Sequence, residues 1–126
     1  MRLISLIVIG FILFSCKKDE PKCPGPAPDL ANGALVLCEG LFQQNNSSVS
    51  WIDFSSGAID NSYFVTRTNR QIGDTGNDIK RYGSKVYVVV NISSAIEVLS
   101  ATDFTSIKQI QMESGGVAKQ PRSIAF

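Results

Sequence analysis

Histidine is absent from the 126 residues of this chain. The chain therefore lacks the commonest general base, the usual partner of a catalytic serine or cysteine, and the commonest metal ligand. The motifs G-x-S-x-G and H-E-x-x-H and the paired-cysteine zinc patterns are missing as well. These absences argue against an enzyme, and we expect no catalytic residue, no cofactor and no metal site.

A strong charge imbalance and helical periodicity are also missing. The formal net charge is +1 at pH 7 and no basic patch carries interleaved aromatic residues, so nucleic acid is not an expected partner. After the apolar run at the N-terminus, no segment keeps a 3.6-residue period over about ten residues. No helix is predicted beyond that run.

The apolar run covers residues 3–14 (LISLIVIGFILF), follows Arg2 and ends at the small Ser15. This layout is typical of a secretory signal peptide, and the run is far shorter than the roughly 20 residues of a membrane-spanning helix. Within it, the stretch LFSC (13–16) resembles the bacterial lipobox. That resemblance implies that Cys16 becomes the lipid-bearing first residue of an exported outer-membrane lipoprotein, so the membrane is an expected partner.

Residues 17–20 (KKDE) resemble the lysine-and-acid signal that follows the lipidated cysteine in some surface-exposed lipoproteins. A simple solvated tether is the alternative, which leaves the protein facing the periplasm. Four prolines between residues 21 and 28 then favour an extended stem. The predicted organisation is a signal peptide at 1–15, a lipidated Pro-rich tether at 16–33 and a folded domain at 34–126.

Two further cysteines, Cys23 in the tether and Cys38 in the first predicted strand, offer a disulfide bond in an oxidising compartment. Such a bond is expected to fasten the tether to the domain. Two free thiols are the alternative, since the spacing alone does not establish the geometry that a disulfide needs.

The domain is predicted to be all-β. Strands are expected at residues 34–37, 49–54, 86–90, 96–99 and 107–110, which are rich in β-branched and aromatic residues and separated by Gly, Asn, Ser and Asp. Residues 86–90 (VYVVV) are apolar on both faces, which predicts a strand covered on two sides.

The strand pattern repeats along the chain. GALVLCEG (33–40) aligns with SKVYVVVN (84–91), VSWIDFSSGAI (49–59) with IEVLSATDFTSI (96–107), and NDIKRY (77–82) with PRSIAF (121–126), about 44 to 51 residues apart. A period in this range built from short strands is typical of the four-stranded blades of a β-propeller. Chance similarity between β-hairpins is the alternative.

In the propeller interpretation, residues 77–82, 85–90, 95–99 and 106–111 form the second blade from its inner to its outer strand. Residues 121–126 are then the inner strand of a third blade, and the first blade lacks its inner strand. A propeller needs about four to eight blades. The chain is therefore predicted to be an incomplete propeller of about two blades, the N-terminal fragment of a longer protein whose last segment closes the ring.

These segments, together with GALVLCEGLF (33–42), IGDTGNDIKRYGSKVYVVVN (72–91) and QPRSIAF (120–126), resemble the YncE-like β-propeller lipoproteins of Gram-negative bacteria. Some members of that group capture cobalamin at the cell surface and pass it to an outer-membrane transporter. The resemblance implies a surface binding protein for a small hydrophilic ligand. A structural or interaction scaffold is one alternative, and a propeller enzyme with its catalytic residues in other blades is another.

Four loops are expected to open on one face of such blades, at residues 39–48, 66–76, 91–94 and 113–121. They contribute a predicted ligand-binding face of polar donors and one aromatic ring: Phe42, Gln43, Asn45, Arg67, Asn69, Arg70, Asn91, Lys119 and Arg122. The alternative is that these loops are polar only because they are solvated. Asp74 and Asp78 could share a calcium ion, although a turn with two solvated acids fits their spacing better.

Overall fold

The computed structural model describes residues 30–126, so the predicted signal peptide, Cys16, the 17–20 segment and Cys23 lie outside the described residues. The described part is mostly antiparallel β-sheet, as the sequence predicts. The elements are β1 Gly33–Cys38, β2 Ser48–Asp53, β3 Ile59–Asp60, α1 Tyr63–Thr68, β4 Gly76–Tyr82, β5 Lys85–Val90, β6 Ala95–Ser100, β7 Ser106–Gln111, β8 Glu113–Ser114 and β9 Val117–Ala118. Among these residues, no helix is long and apolar enough to cross a membrane.

The first sheet has three strands in the order β1-β2-β3. The predicted strands at 34–37 and 49–54 are confirmed as β1 and β2, and they pair from Gly33 with Asp53 to Cys38 with Ser48. Val49 and Trp51 alternate toward the interior, and both side chains are buried. This alternation arises because successive side chains of a strand point to opposite faces.

The second sheet has four strands in the order β4-β5-β6-β7. Each strand pairs with its neighbour in sequence, which confirms the order of the four strands predicted at residues 77–82, 85–90, 95–99 and 106–111. Val88, Val89 and Val90 are all fully buried, so β5 is covered on both faces as expected. Neither of these two sheets closes on itself.

The helix α1 was not predicted, and the expectation that the domain contains no helix is wrong. α1 has six residues, too few to display a helical period in the sequence. It ends at Asn69, whose left-handed backbone (φ 55°) lets its N–H donate to the carbonyl of Val65 at 2.8 Å. Its Tyr63 and Phe64 are buried, and the helix packs against β2.

Two further differences lie near the C-terminal end of the described residues. The short hairpin β8–β9 occupies part of a segment predicted to be a loop, and its turn is formed by Gly115 and Gly116, both with positive φ. Residues 121–126, predicted to be an inner strand, form no strand. They lie beside β4 through side-chain contacts, in which the Ile124 amide donates to Asp78 and Lys80 donates to the Ile124 carbonyl.

The core lies between the two larger sheets and is centred on aromatic rings. Phe104, from the turn between β6 and β7, is fully buried and lies 4.9 Å from Tyr63 and 6.4 Å from Phe64, measured between ring centroids. Trp51 extends this group at 5.9 Å from Tyr63. The aromatic cluster, defined by these four residues, therefore joins β2, α1 and the β6–β7 turn.

Candidate functional site

The four loops predicted to share a face do meet in the structure. We call this region the loop face, comprising residues 39–48, 66–76, 91–94 and 113–121. Each loop is hydrogen-bonded to the next one, which places the ends of β1, β5 and β7 and the segment before β4 side by side. The hub of the contacts is Asp74, which is buried at the start of the GDTGND stretch.

The Asp74 carboxylate binds the backbone of the first loop. Its Oδ1 accepts the Gln43 amide at 3.2 Å and its Oδ2 accepts the Asn45 amide at 3.0 Å. Oδ1 also accepts the Thr75 hydroxyl at 2.6 Å. The pKa of Asp74 lies below its usual value, chiefly because of the Thr75 hydrogen bond and further because of the Asn45 and Gln43 amides.

A second set of bonds supports the same junction. The Ser47 hydroxyl donates to the Glu39 carbonyl and accepts the Gly76 amide at 2.8 Å. The Ser47 amide donates to the Gly73 carbonyl at 3.1 Å. Gly76 lies close to β1, since a Cβ there would come within 2.8 Å of the Leu37 side chain. A small residue is therefore required where the second sheet meets the first loop.

The remaining two loops are held from the other side of Asp74. The Asp74 amide donates to the Ser93 hydroxyl at 2.8 Å, and the Gln120 amide donates to the Ser94 hydroxyl at 3.1 Å. The Asn91 side-chain amide donates to the carbonyls of Gln120 and Pro121 at 2.8 and 3.0 Å. Side chains and backbone groups together make the loop face one connected hydrogen-bonded surface.

The predicted face residues fall into two groups. One group presents exposed side chains on or beside the loops: Phe42, Gln43, Asn45, Asn69, Lys119 and Arg122. The other group contacts the protein: Asn91 ties the 113–121 loop, Arg67 lies over the Tyr63 ring at 5.3 Å, and Arg70 pairs with Glu97. The first group therefore offers the donors that a bound ligand can reach, while the second group shapes their support.

Glu97 is the residue that sequence reasoning missed. Its side chain, on β6, is fully buried. The carboxylate accepts hydrogen bonds from the two terminal guanidinium nitrogens of Arg70, at 2.8 and 2.5 Å, and from the side-chain amide of Gln109 at 2.6 Å. Hydrogen bonding to Glu97 raises the pKa of Arg70. The sequence did contain a signal for this role, because Glu97 is a single acid among the apolar residues of β6. A buried acid requires a hydrogen-bonding or charged partner.

No group of three potential metal-ligating side chains occurs within residues 30–126. The two acids considered as calcium ligands instead accept hydrogen bonds from the protein. Asp78 accepts the Ile124 amide at 3.0 Å and pairs with Lys80 at 3.3 Å, while Asp74 holds the first loop. The alternative of a turn with two solvated acids does not hold either, because Asp74 is buried and Asp78 lies within β4.

Cys38 is exposed at the end of β1. Its predicted partner Cys23 precedes the described residues, so the disulfide bond stays a prediction.

Replacement of Asp74 by alanine is expected to loosen the first loop. Because the carboxylate accepts the Gln43 and Asn45 amides, we expect hydrogen exchange of these two amides to become about tenfold faster. Acid should act in the same direction. The folded pKa lies below the ordinary value of 3.8, so the contribution of Asp74 is complete above that pH and is lost as the pH falls through the lower folded pKa.

Exchange is measured by NMR at neutral pH for the variant and as a function of pH for the native chain. Asp103→Ala is the matched control, because Asp103 also accepts hydrogen bonds within its own turn but touches neither amide. Equal exchange of Gln43 and Asn45 in the Asp74 variant and the native chain contradicts the role of Asp74 as the hub.

Comparison of the chain with protein-family models and with curated proteins found no match.

Proposed function

We propose that this protein is a surface-exposed outer-membrane lipoprotein whose β-domain captures a small hydrophilic ligand at the loop face. Cobalamin, delivered to an outer-membrane transporter, is the first ligand to test, because the sequence resembles propeller lipoproteins of which some members perform that task. The observation that carries the proposal is the hydrogen-bonded junction at Asp74, which joins four loops into one surface.

Pre-organisation is what the junction contributes to binding. A loop that must be ordered when its ligand arrives loses affinity, and a loop already held in place does not. The first loop illustrates this point. Gln43 and Asn45 have left-handed backbones (φ 60° and 51°), and their amides are bound by Asp74. Their side chains stay exposed beside Phe42, which is 64% exposed, so amide groups and an aromatic ring are presented together.

Such a surface suits a ligand that carries both amide or hydroxyl groups and a flat apolar part. Lys119 and Arg122 add exposed cationic donors at the far side of the same face. These features support a hydrophilic ligand of substantial size in preference to a lipid or a simple ion. Titration with both ligand classes distinguishes cobalamin from a glycan.

The propeller interpretation belongs to the same proposal. The three-stranded and four-stranded sheets are then the first two blades, and the first blade awaits its inner strand. Among the described residues β1 pairs only with β2, which leaves its other edge unpaired. A groove of about 510 Å³ lies along that edge, between β1 and β4, and is lined by Leu35–Leu37, Glu39 and Gly76–Ile79. An inner strand supplied by a later part of a longer chain fits this position.

The anchor at Cys16 and the export signal at 17–20 rest on the sequence. A lipid anchor would keep the loop face close to a transporter, which favours transfer because tethering raises the effective concentration of the binding partner. A cell-surface scaffold remains the second candidate. It is favoured by the edge strand β7, where Ile107 is 53% exposed and Ile110 is 38% exposed.

The variant Cys16→Ser tests the lipid anchor and also provides the protein sample for the ligand titration. The native protein is expected in the membrane fraction, whereas Cys16→Ser is expected to stay soluble after export because no acyl chains can be attached. The soluble variant is then titrated by calorimetry with cobalamin and with a panel of glycans. We expect tight cobalamin binding that weakens at least about tenfold when Phe42 and Gln43 are both changed to alanine.

The outcomes separate the two parts of the proposal. If the native protein is found in the soluble fraction, the proposed lipid anchor at Cys16 is contradicted, whatever the result of the ligand titration. No heat with cobalamin from a folded sample removes vitamin capture, and heat with a glycan alone moves the ligand class to carbohydrates. Lys108→Gln on β7 provides the matched control, since Lys108 is exposed and pairs with Val98 in the middle of β6, away from the loop face.

A further inference from the structure

The end of the domain opposite the loop face is formed by the turns at the other ends of the same strands. We call this region the tether end, because the predicted tether joins β1 there. It comprises residues 30–32, 54–58, 83–84 and 101–105. The Phe54 amide donates to the Asn32 carbonyl at 3.0 Å, and the Ala101 amide donates to the Ser84 carbonyl at 2.9 Å. Backbone hydrogen bonds therefore connect the turns of each sheet to one another.

Exposed aromatic rings are concentrated at the tether end. Within residues 30–126, four aromatic side chains are more than half exposed, and of these Phe42 lies on the loop face. The other three lie at or beside the tether end: Phe54 (65%), Tyr82 (60%) and Phe126 (59%). Tyr82 is the last residue of β4, and the Phe126 ring stacks on it with the centroids 4.5 Å apart. Aromatic rings that stay exposed together at one end of a domain mark an interaction surface.

Unpaired cations lie beside these rings. The β4–β5 hairpin, residues 80–85 (KRYGSK), carries three cations and no acid. Lys80 pairs with Asp78, but Arg81 and Lys85 are exposed and form no ion pair with any residue between 30 and 126. The hairpin therefore presents two free positive charges on either side of an aromatic ring.

The acids of the tether end lie in its other turns. Asp53 accepts the amide and hydroxyl of Ser55, and Asp103 accepts the amide and hydroxyl of Thr105. Each carboxylate thus organises its own turn. The unbalanced positive charge of the tether end is located at the hairpin.

The length of the tether allows this end to reach the bilayer. If Cys16 carries the lipid, fourteen residue steps lead to Leu30, which span about 43 Å in a polyproline II chain. The predicted Cys23–Cys38 bond would shorten the free tether to the seven steps from Cys16 to Cys23, about 22 Å. That reach still exceeds the roughly 17 Å from Gly33 to Cys38 along β1. The anchor is therefore compatible with a tether end on the membrane, with or without the disulfide bond.

We propose that the tether end docks on an anionic membrane surface. Phe54, Tyr82 and Phe126 enter the headgroup region, which aromatic side chains favour because they are apolar and polarisable at once. Arg81 and Lys85 bind the lipid phosphates, and each cation close to an anionic surface strengthens binding about fivefold. The proposal rests on the lipid anchor proposed above and adds a contact made by the domain itself. It directs the loop face away from the bilayer, toward the medium from which a ligand is captured.

The Cys16→Ser protein provides the test, because it carries no lipid and any membrane binding then comes from the domain. Its sedimentation is measured with vesicles of phosphatidylcholine and phosphatidylglycerol, and with pure phosphatidylcholine vesicles as the neutral probe. We expect saturable binding to the anionic vesicles that weakens as salt is added. Binding to the neutral vesicles should be at least about tenfold weaker.

Two double variants in the same background separate the charges from the rings. Arg81→Gln with Lys85→Gln should weaken binding to anionic vesicles at least about tenfold, and Phe54→Ala with Tyr82→Ala at least about fivefold. Lys108→Gln and Phe42→Ala are the matched controls. Lys108 is an exposed cation on β7, and Phe42 is an exposed ring on the loop face, so neither variant should change vesicle binding. Circular dichroism checks that each variant is folded.

The orientation is measured by ¹H–¹⁵N NMR with lipid nanodiscs that carry a spin-labelled lipid. The amides of Gly57 and Gly83, in two turns of the tether end, should broaden strongly. Those of Gln43 and Asn45 on the loop face should not, because paramagnetic broadening falls steeply with distance from the label.

Four results would overturn the proposal. The membrane is excluded as the partner if the protein does not sediment with anionic vesicles at low salt. Equal binding by both double variants and the parent protein places the contact elsewhere, and stronger broadening at the loop face reverses the orientation. A dimer in analytical ultracentrifugation that Phe54→Ala with Tyr82→Ala dissociates assigns this end to a second copy of the chain.

These results are independent of the function proposed above. Vesicle binding is measured without the lipid, so native protein in the soluble fraction contradicts the anchor alone. Cobalamin titration of both double variants is expected to match that of Cys16→Ser, because their four residues lie outside the loop face.

Discussion

Phe104→Ala is expected to lower the free energy of unfolding by about 3–5 kcal/mol, which is the usual cost of deleting a buried phenylalanine ring. The ring is fully buried, and it contacts the two aromatic residues that begin α1. Its loss leaves a cavity where β2, α1 and the β6–β7 turn meet, and the surrounding rings cannot fill it without leaving their own positions. The substitution also tests packing alone. Phe104 has a left-handed backbone (φ 60°), and alanine keeps a Cβ, so the backbone strain stays similar.

The change is measured by urea unfolding of the whole chain, followed through Trp51 fluorescence and circular dichroism. Phe54→Ala is the matched control, because Phe54 is 65% exposed and its truncation should cost less than about 1 kcal/mol. Similar losses for the two variants would show that the aromatic cluster is not the centre of the core.

Arg70→Ala is expected to destabilise the chain by about 2–4 kcal/mol. Removal of one partner of a buried ion pair costs about 3–5 kcal/mol, and the lower range applies here because the Arg70 side chain is 34% exposed. The loss comes mainly from Glu97, whose carboxylate stays fully buried with Gln109 as its remaining partner. Arg70 also lies over the Phe64 ring at 5.2 Å, so the variant loses a cation–π contact as well.

A double variant separates the charge from the packing. Arg70→Ala combined with Glu97→Gln should recover part of the lost stability, because the buried group is then neutral. Lys80→Ala is the control for an exposed pair. Lys80 and Asp78 have side chains that are 46% and 20% exposed, and loss of their ion pair should cost at most about 1 kcal/mol. An Arg70 variant as stable as the Lys80 variant would show that Glu97 finds water or another donor.

The aromatic cluster around Phe104 and the Arg70–Glu97 ion pair both stabilise the segment that connects the two sheets. α1 and Arg70 lie between β3 and β4, and the same segment continues through Gly73 to Asp74. The aromatic cluster and the Arg70–Glu97 pair therefore hold the chain that delivers Asp74 to the loop face. We infer that these core contacts help to position the loop face, because the position of a loop depends on the helices and strands to which it is attached.

The strands were predictable because their signal is local. Alternation in β2 and the doubly apolar run of β5 are visible within six residues, and short polar gaps fix antiparallel neighbours. The helix α1 was missed because six residues are too few to show a period. The β8–β9 hairpin did have a signal, since Gly115-Gly116 is a favoured hairpin turn.

The loop face was predictable only in outline. Alternate loops of a meander emerge at the same end of the sheet, so the four loops were expected together, and they are hydrogen-bonded to each other. Which residues of the loop face bind other parts of the protein, and which stay exposed, was not predictable. Arg70 and Asn91 were expected to face a ligand, yet they bind Glu97 and the carbonyls of Gln120 and Pro121. In the sequence, nothing distinguishes a donor with an internal partner from one without.

The sequence by itself determined the mostly β class, the four-stranded meander and the group of loops at one end, because these follow from apolar periodicity and turn residues along a short stretch of chain. Only the tertiary structure decided that Asp74 binds amides 31 and 29 residues away, that Glu97 is buried against Arg70, and that Trp51 lies beside Tyr63 in the core. Such partners lie far apart in sequence, and a polar group finds its partner only when packing removes it from water.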